Sequence, residues 1–353
     1  MRERIYVIHE FGIPSHYAGL ERYLDEKDID ILFYEFTFLR QLLSSIKHRN
    51  VIRFLRSFEN AFFILRLLFS TNKKVVVGIA PIDSRLVILK RIISKHNIYY
   101  HTSWPYWSQS NYPKISFYQK FIVREWRDFI NNCVHVFSVT DTARQSLVDN
   151  GWKDNGSISV VGHAYDESIF KRNDNSEIEI EESISLEITF IGRVEHEKGI
   201  DEIIEISKEL PNARINIIGS GRQDSKLEKL SQKNLNLVGY INDKKVISDY
   251  LTRSHYLLLP SKKRSDGWEE LFGMVVIEAM ACGCIPFVTD HVGPREILKD
   301  FPELISSETD YVKNFLKLLG NEELLISKAE IEFASRKYSL DEVKTKWSHI
   351  DEN

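Results

Sequence analysis

The chain has 353 residues, 43% hydrophobic and 28% charged, with a formal net charge of −4. This is ordinary globular composition, which excludes a disordered chain, and the length suggests two domains. No stretch approaches the ~20 uncharged apolar residues of a spanning helix. "MRERIYVIHE" enters a strand almost at once with no apolar leader, and Cys133, Cys282 and Cys284 lack metal-ligand spacing, so a reduced cytoplasmic chain is expected. In chain order, residues 4–10, 27–36, 73–80, 97–103, 134–140 and 158–164 read as strands rich in Val, Ile and Tyr. The stretches between them have helical spacing; "TARQSLVDNGW" stops at Asn150-Gly151 as a helix should. After the polar, acidic stretch 171–183 the rhythm restarts, with strands at 186–193, 213–221, 234–240, 255–261 and 284–290. Two successive βα arrays predict an α/β chain of two doubly wound parallel-sheet domains, 1–170 and 171–335, followed by an amphipathic helix over 336–353.

Charge supports the division. Residues 1–170 carry 22 Lys and Arg against 17 Asp and Glu, whereas residues 171–353 carry 25 against 34. The first half is the one expected to meet something anionic. Ligands of open α/β sheets bind beyond the carboxyl ends of the strands, so the strand-end loops of the two sheets, facing across a cleft, are the candidates.

In "IGRVEHEKG" (191–199), Arg193 follows a strand and Lys198 lies near a helix start. A fork donor and a point charge at a helix N-terminus suit a diphosphate, although an isolated pair of this spacing is as readily two solvated cations. In "IIGSGR" (217–222), Gly219 and Gly221 either let backbone approach a ligand or make a tight turn. The dinucleotide pattern G-x-G-x-x-G is incomplete both here and near the N-terminus, which argues against a nicotinamide oxidoreductase. "EELFGMVVIEAMACGCIP" (269–286) sets Glu270 in a loop and Glu278 within an apolar helix. The backbone amides over Phe272–Val275 are free to hold an anion or hydroxyl. Glu270 can accept from sugar hydroxyls and Glu278 from both hydroxyls of a ribose; the plain alternatives are a capping acid and a helix charge. An acid among Val275, Val276, Ile277, Ala279, Met280 and Ala281 is costly to bury without partners, which favours a ligand role.

These residues resemble the retaining GT-B glycosyltransferases, specifically glycosyltransferase family 4, whose E-x7-E signature is similar to Glu270…Glu278. "IGRVEHEKGIDEII" is similar to the family's G-R-x4-K-G segment, "IIGSGR" to its glycine turn, "SVVGHAYDESIF" to the end of its first domain and "YSLDEV" to its late helix. Leu271 replaces a usual glycine, and Gly162-His163-Ala164 a usual Pro-Asn-Gly. The resemblance is strong from about 160 onward and architectural before that. It implies an acceptor-binding first domain, a nucleotide-sugar-binding second domain, and a terminal helix crossing back to the first. Arg193 and Lys198 would bind the donor diphosphate; Glu270, with the amides of Phe272, Gly273 and Met274, the sugar; Glu278 the ribose; Gly239 and Tyr240 the base. It implies a UDP- or GDP-sugar as substrate, no cofactor and no metal, and departure of the leaving group on the face the acceptor attacks.

In the first half, His101 follows a strand and can touch sugar or acceptor, and Trp104, Tyr106 and Trp107 can stack on a carbohydrate ring or else belong to the core. Gly12, in "FGIPSHYAG", lies in the loop after the first strand and can approach donor or acceptor. Residues 39–74 carry eight Lys and Arg and one acid among Leu, Ile and Phe. That pattern suits peripheral contact with an anionic membrane, the home of lipid-linked acceptors, or two packing helices with a basic outer face. No nucleic-acid module accompanies it. The expected activity is hexosyl transfer to a glycan or lipid-linked acceptor in surface polysaccharide or glycoconjugate synthesis. The alternatives are a nucleotide-sugar epimerase of GT-B fold and a non-catalytic nucleotide-sugar-binding protein.

Overall fold

Apolar strand runs of the kind seen here bury both faces, so each needs helices above and below it. The computed structural model describes residues 2–10, 15–108, 119–172, 186–230, 232–265, 267–321 and 326–352, and Gly12 lies outside them. Residue contacts divide the chain into two units, Met1–His163 with Val343–Asn353, and Ala164–Glu342.

The first unit runs β1 (Arg4–His9), α1 (Ala18–Asp25), β2 (Asp30–Glu35), α2 (Phe38–Lys47), α3 (Val51–Leu68), β3 (Lys74–Gly78), α4 (Leu86–Ile93), β4 (Asn97–Thr102), α5 (Gln119–Asn132), β5 (His135–Ser138), α6 (Asp141–Asp149) and β6 (Ile158–Val160). Its sheet order is β2-β1-β3-β4-β5-β6, every pairing parallel. Local chemistry sets the helix ends: the Thr140 hydroxyl accepts the Ala143 N–H at the start of α6, and Gly151 follows its end at φ 64°. One face of the sheet is covered by side chains of α3, α4 and α5, among them Phe63, Leu89 and Trp126. The other is covered by Leu20 and Leu24 of α1 together with Trp347 and Ile350 of the chain's last residues. A Cβ on Gly19 would come 2.6 Å from Val343, so the tail packs against α1 at backbone distance.

The second unit runs β7 (Leu186–Ile191), α7 (Ile200–Glu209), β8 (Ala213–Ile218), α8 (Asp224–Glu228), β9 (Leu235–Gly239), α9 (Lys244–Arg253), β10 (Tyr256–Leu259), α10 (Met274–Ala281), β11 (Ile285–Thr289), α11 (Val292–Ile297), β12 (Ile305–Ser306), α12 (Tyr311–Leu319) and α13 (Lys328–Ser335), before α14 (Leu340–Thr345) leads into the tail. Its order is β12-β11-β10-β7-β8-β9, again all parallel. All eleven expected strands are present, and the two-residue β12 is the addition. Among the described residues no helix is long and apolar enough to cross a membrane.

One expectation is corrected. Trp107 is fully buried, edge-to-face with Trp152 at 4.9 Å, and its indole N–H donates to the Trp104 carbonyl at 2.9 Å. It has no face left for a sugar: the loop after β4 turns inward, where the indole finds both apolar cover and an acceptor. Trp104 stays half-buried, donating to the Tyr106 carbonyl at 2.6 Å, and Tyr106 is half-buried beside it. Trp107→Ala is therefore expected to lower unfolding free energy by about 3–5 kcal/mol in a urea titration, the penalty of a large aromatic cavity.

Candidate functional site

In the second sheet, β7 leads outward to β8 and β9, and β10 leads outward to β11 and β12. Their connections diverge between β7 and β10, which leaves a crevice at those strands' carboxyl ends. Arg193 and Lys198 lie after β7, and Glu270 after β10.

The two loops are drawn together by a glycine. Gly199 has φ 72°, and a Cβ there would stand 2.0 Å from the Pro260 carbonyl oxygen. Only glycine tolerates both conditions. The Lys262 N–H then donates to the Glu197 carbonyl at 2.9 Å across the same junction. Closure brings the Lys198 ammonium into an ion pair with Glu270 Oε1, to which the Ser261 hydroxyl also donates at 2.9 Å. Both charged side chains are largely buried, and the ammonium lies 4.8 Å from the centre of the Trp268 ring. Glu270 Oε2 accepts no protein hydrogen bond among the described residues.

His291, after β11, holds the Glu270 loop from behind. Its Nδ1 accepts the Glu270 N–H at 3.1 Å and its Nε2–H donates to the Ser261 carbonyl at 2.9 Å. This pairing specifies a neutral ring with the proton on Nε2. Burial lowers its pKa, opposed by the Ser261 carbonyl and nearby carboxylates. Glu269 faces elsewhere, accepting the Val292 N–H at 3.2 Å at the head of α11. The adjacent glutamates are thus separated, one toward Lys198 and one toward the helix. Gly293 packs so closely that a Cβ would lie 2.2 Å from the Phe272 Cα. His291 and Ser261 were not singled out from the sequence, although the strand-end rule would have pointed to both.

Arg193 is mostly exposed, its guanidinium 3.6 Å from the buried Glu197 carboxylate, which Arg264 approaches at 3.7 Å. Glu197 is held below the usual carboxylate range, first by its own backbone amide and then by the arginines Arg193, Arg264 and Arg222. For "IIGSGR" the structure favours the tight turn. A Cβ at Gly219 would stand 1.8 Å from the Gly192 carbonyl oxygen, and one at Gly221 2.2 Å from that of Val194. Those glycines let the turn after β8 close against the loop that carries Arg193. Gly239, at φ 85°, faces open space, and Tyr240 beside it is exposed.

α10 starts from Gly273 at φ 97° with no side-chain cap, Met274 and Val275 are half-buried, and Phe272 is anchored edge-to-face on Tyr338 at 5.8 Å. The first amides of α10 therefore keep their capacity to donate. Within α10, the Glu278 carboxylate makes no hydrogen bond among the described residues, and burial pushes its pKa up to about 7 against the pull of Lys244.

In the first unit, His101 is the penultimate residue of β4 and is buried among His16 (5.6 Å), His163 (6.2 Å), Tyr17 (4.8 Å) and Trp347 (5.4 Å). Burial first, then His16 and His163, lower its pKa well below the ordinary value, so the ring is neutral at pH 7. Its Nε2 has no hydrogen-bond partner among the described residues. Among those residues no cluster of three or more His, Cys, Asp or Glu is placed to hold a metal ion.

The family described as Glycosyl transferases group 1 matches residues 171–330. The matched segment is somewhat under half of the chain and lies within the second half of the sequence. It contains Arg193, Lys198, Glu270, Glu278 and His291. An uncharacterized 41.2 kDa protein in the cps region of Klebsiella pneumoniae is 31% identical over 152 residues, covering 42% of this chain and 37% of that protein. The phosphatidylinositol N-acetylglucosaminyltransferase gpi3 subunit of Schizosaccharomyces pombe is 26% identical over 205 residues, covering 52% and 42%. The matches thus span well under half of those relatives' own length. Among solved structures, Anabaena HepE in complex with UDP aligns over 98% of both chains, with TM-score 0.66 and 12% identity. Sucrose-phosphate synthase from Thermosynechococcus elongatus aligns over 99% of this chain and 96% of that one, with TM-score 0.63 and 14% identity. The fold is that of GT-B glycosyltransferases, with two Rossmann-like domains.

Glu278 yields a stability prediction. Its pKa is raised from 4.5 to about 7 on folding, so the folded state binds the proton more tightly. Stability contributed by this group is complete below pH 4.5 and falls as pH rises toward 7. Glu278→Gln should therefore match wild type near pH 4.5 and exceed it at pH 8, by up to about 3 kcal/mol. Chemical denaturation at both pH values measures the difference.

Proposed function

We propose that the chain is a retaining, family 4 glycosyltransferase that moves a sugar from a nucleoside diphosphate donor to a glycan or lipid-linked acceptor. The assembly of surface polysaccharide or glycoconjugate is its setting. The observation that carries this reading is the Lys198–Glu270 pair across the β7/β10 crevice, with Arg193 on one side and the uncapped start of α10 on the other.

The roles follow from chemistry. Arg193 and Lys198 place two positive charges where the leaving nucleoside diphosphate gains negative charge, so they stabilise its departure without an added cation. Glu270 Oε2 accepts from hydroxyls of the donor sugar, while the backbone N–H groups of Phe272, Gly273, Met274 and Val275 donate to phosphate or sugar oxygens. Glu278 accepts both ribose hydroxyls, a job that stabilises its ionised form. Gly239 leaves room for the base beside Tyr240, and the turn at Gly219 shapes the floor. His101, neutral and with an unpaired Nε2, exchanges a hydrogen bond with sugar or acceptor, and Trp104 and Tyr106 border the acceptor. The acceptor hydroxyl attacks the face from which the diphosphate leaves and passes its proton to a phosphate oxygen, so configuration is retained with no carboxylate nucleophile. The HepE structures are complexes with UDP and with UDP-glucose, which makes UDP-sugars the first donors to test.

Thermal melts with UDP-, GDP-, ADP- and dTDP-sugars test the reading directly. One class should raise the melting temperature, and Lys198→Ala or Arg193→Ala should abolish the shift; stabilisation by none of the four would refute the proposal. His101→Ala should keep the donor-induced shift yet lose about a hundredfold or more in transfer rate, the scale of a positioned polar group at the reacting centre.

The raised Glu278 pKa adds a pH signature. Ribose binding to the carboxylate releases a proton below pH 7, so affinity for a nucleotide-sugar should rise from pH 6 to pH 8 in wild type and stay flat in Glu278→Gln. Calorimetry in buffers of different ionisation enthalpy reads the proton; an affinity unaltered by the substitution would remove Glu278 from the ribose.

A further inference from the structure

The helices α2 and α3 present an outer face unlike the rest of the surface. Of the sixteen exposed large hydrophobic side chains among the described residues, eleven lie between Leu39 and Phe69. On α3 and its end they follow one stripe at helical spacing: Val51, Leu55, Phe58, Phe62, Leu65 and Phe69, all more than half exposed. Leu39, Leu43 and Ile46 make a second stripe on α2. α3 has a separate buried face, which includes Phe63, Ile64 and Leu67, so its packing on the sheet is complete without the exposed stripe. The alternative of two packing helices with a basic outer face therefore fails in one respect: the outer face is apolar as well as basic. An apolar surface two helices long exceeds the scattered exposure normal for a soluble chain.

Charge selects the occupant. Lys47 at the end of α2, Arg49 in the turn and Arg66 near the end of α3 are exposed beside the apolar stripes and form no ion pair among the described residues, whereas Arg53 and Arg56 line a pocket with His9, Phe33 and Glu35. Glu59 is the single acid between residues 39 and 74. A second copy of this chain meeting the face across a two-fold axis would set these cations against one another. A neutral apolar partner would leave them unused. A bilayer with anionic headgroups satisfies both parts at once, taking the Phe and Leu side chains at the acyl boundary and pairing the arginines with lipid phosphates.

We propose that α2 and α3 form a membrane-docking surface that binds anionic lipid bilayers peripherally. Neither helix spans the bilayer; both lie in its interface. The surface stands independently of the sugar-transfer reading, because it rests on α2 and α3 alone, and it holds the first unit at the place where a lipid-borne acceptor is presented.

Vesicle co-sedimentation of the full chain tests this, using phosphatidylcholine alone and an equal mixture of phosphatidylcholine and phosphatidylglycerol. Binding is expected to the mixed vesicles, at least about tenfold tighter than to the neutral ones, and to weaken as salt rises. Phe58→Asp/Phe62→Asp should lose binding to both; Lys47→Glu/Arg66→Glu should lose the preference for anionic lipid. The milder Leu55→Ser/Phe62→Ser pair repeats the first test, and unchanged melting temperatures for these exposed positions verify folding. No binding to mixed vesicles, equal binding to neutral ones, or full binding by the aspartate variant would each overturn the proposal. So would a concentration-dependent dimer in sedimentation velocity that the aspartate variant dissolves while vesicle binding is unaffected, because the face would then belong to a second copy.

Discussion

A lysine and a glutamate 72 residues apart meet because one glycine lets two loops touch. Gly199 lies where any side chain would strike the Pro260 carbonyl, and its positive φ turns the chain so that Lys198 points at Glu270. Ser261, Trp268 and His291 then hold that pair from three sides. A larger residue at 199 would part the loops, and the charges would separate into solvent, where such a pair is worth little. The crevice owes its place to strand order and its chemistry to this contact.

The arrangement also explains why two adjacent glutamates take unlike parts. Glu269 is committed to the backbone of α11, and its neighbour keeps one oxygen uncommitted beside the ammonium. The close approach of Gly293 to Phe272 binds α11 to the loop before α10, so the carboxylate, the helix start and the histidine form one rigid set. Glu278 depends on the same helix. Its raised pKa reflects burial of a carboxylate that has no hydrogen-bonding partner among the described residues.

Much of the architecture was legible in residue patterns. Continuous Val and Ile runs specify strands of a parallel sheet, and eleven of the twelve among the described residues were visible this way. The missing one, β12, has only two residues, too short to show any periodicity. The site was legible where motif and topology agree: Arg193, Lys198 and Glu270 all fall at carboxyl ends of strands beside the crevice. His291 escaped notice because a histidine after a strand has no spacing signal, and its role exists only through a loop that precedes it by some twenty residues. Trp107 was misjudged because an aromatic near a strand end looks the same whether its ring turns outward or in.

Periodicity, glycine placement and the positions of charge thus specified the two α/β arrays, their strands, and the loops that carry Arg193, Lys198 and Glu270. These properties depend on neighbours a few residues away, so they can be read along the chain. Folding in three dimensions settled the rest. It chose which of Glu269 and Glu270 faces Lys198, buried Trp107, and brought Trp347 beneath the first sheet. It also left the apolar side of α3 uncovered. Each of these outcomes depends on whether a side chain finds a partner far away in sequence, and spacing along the chain does not encode that.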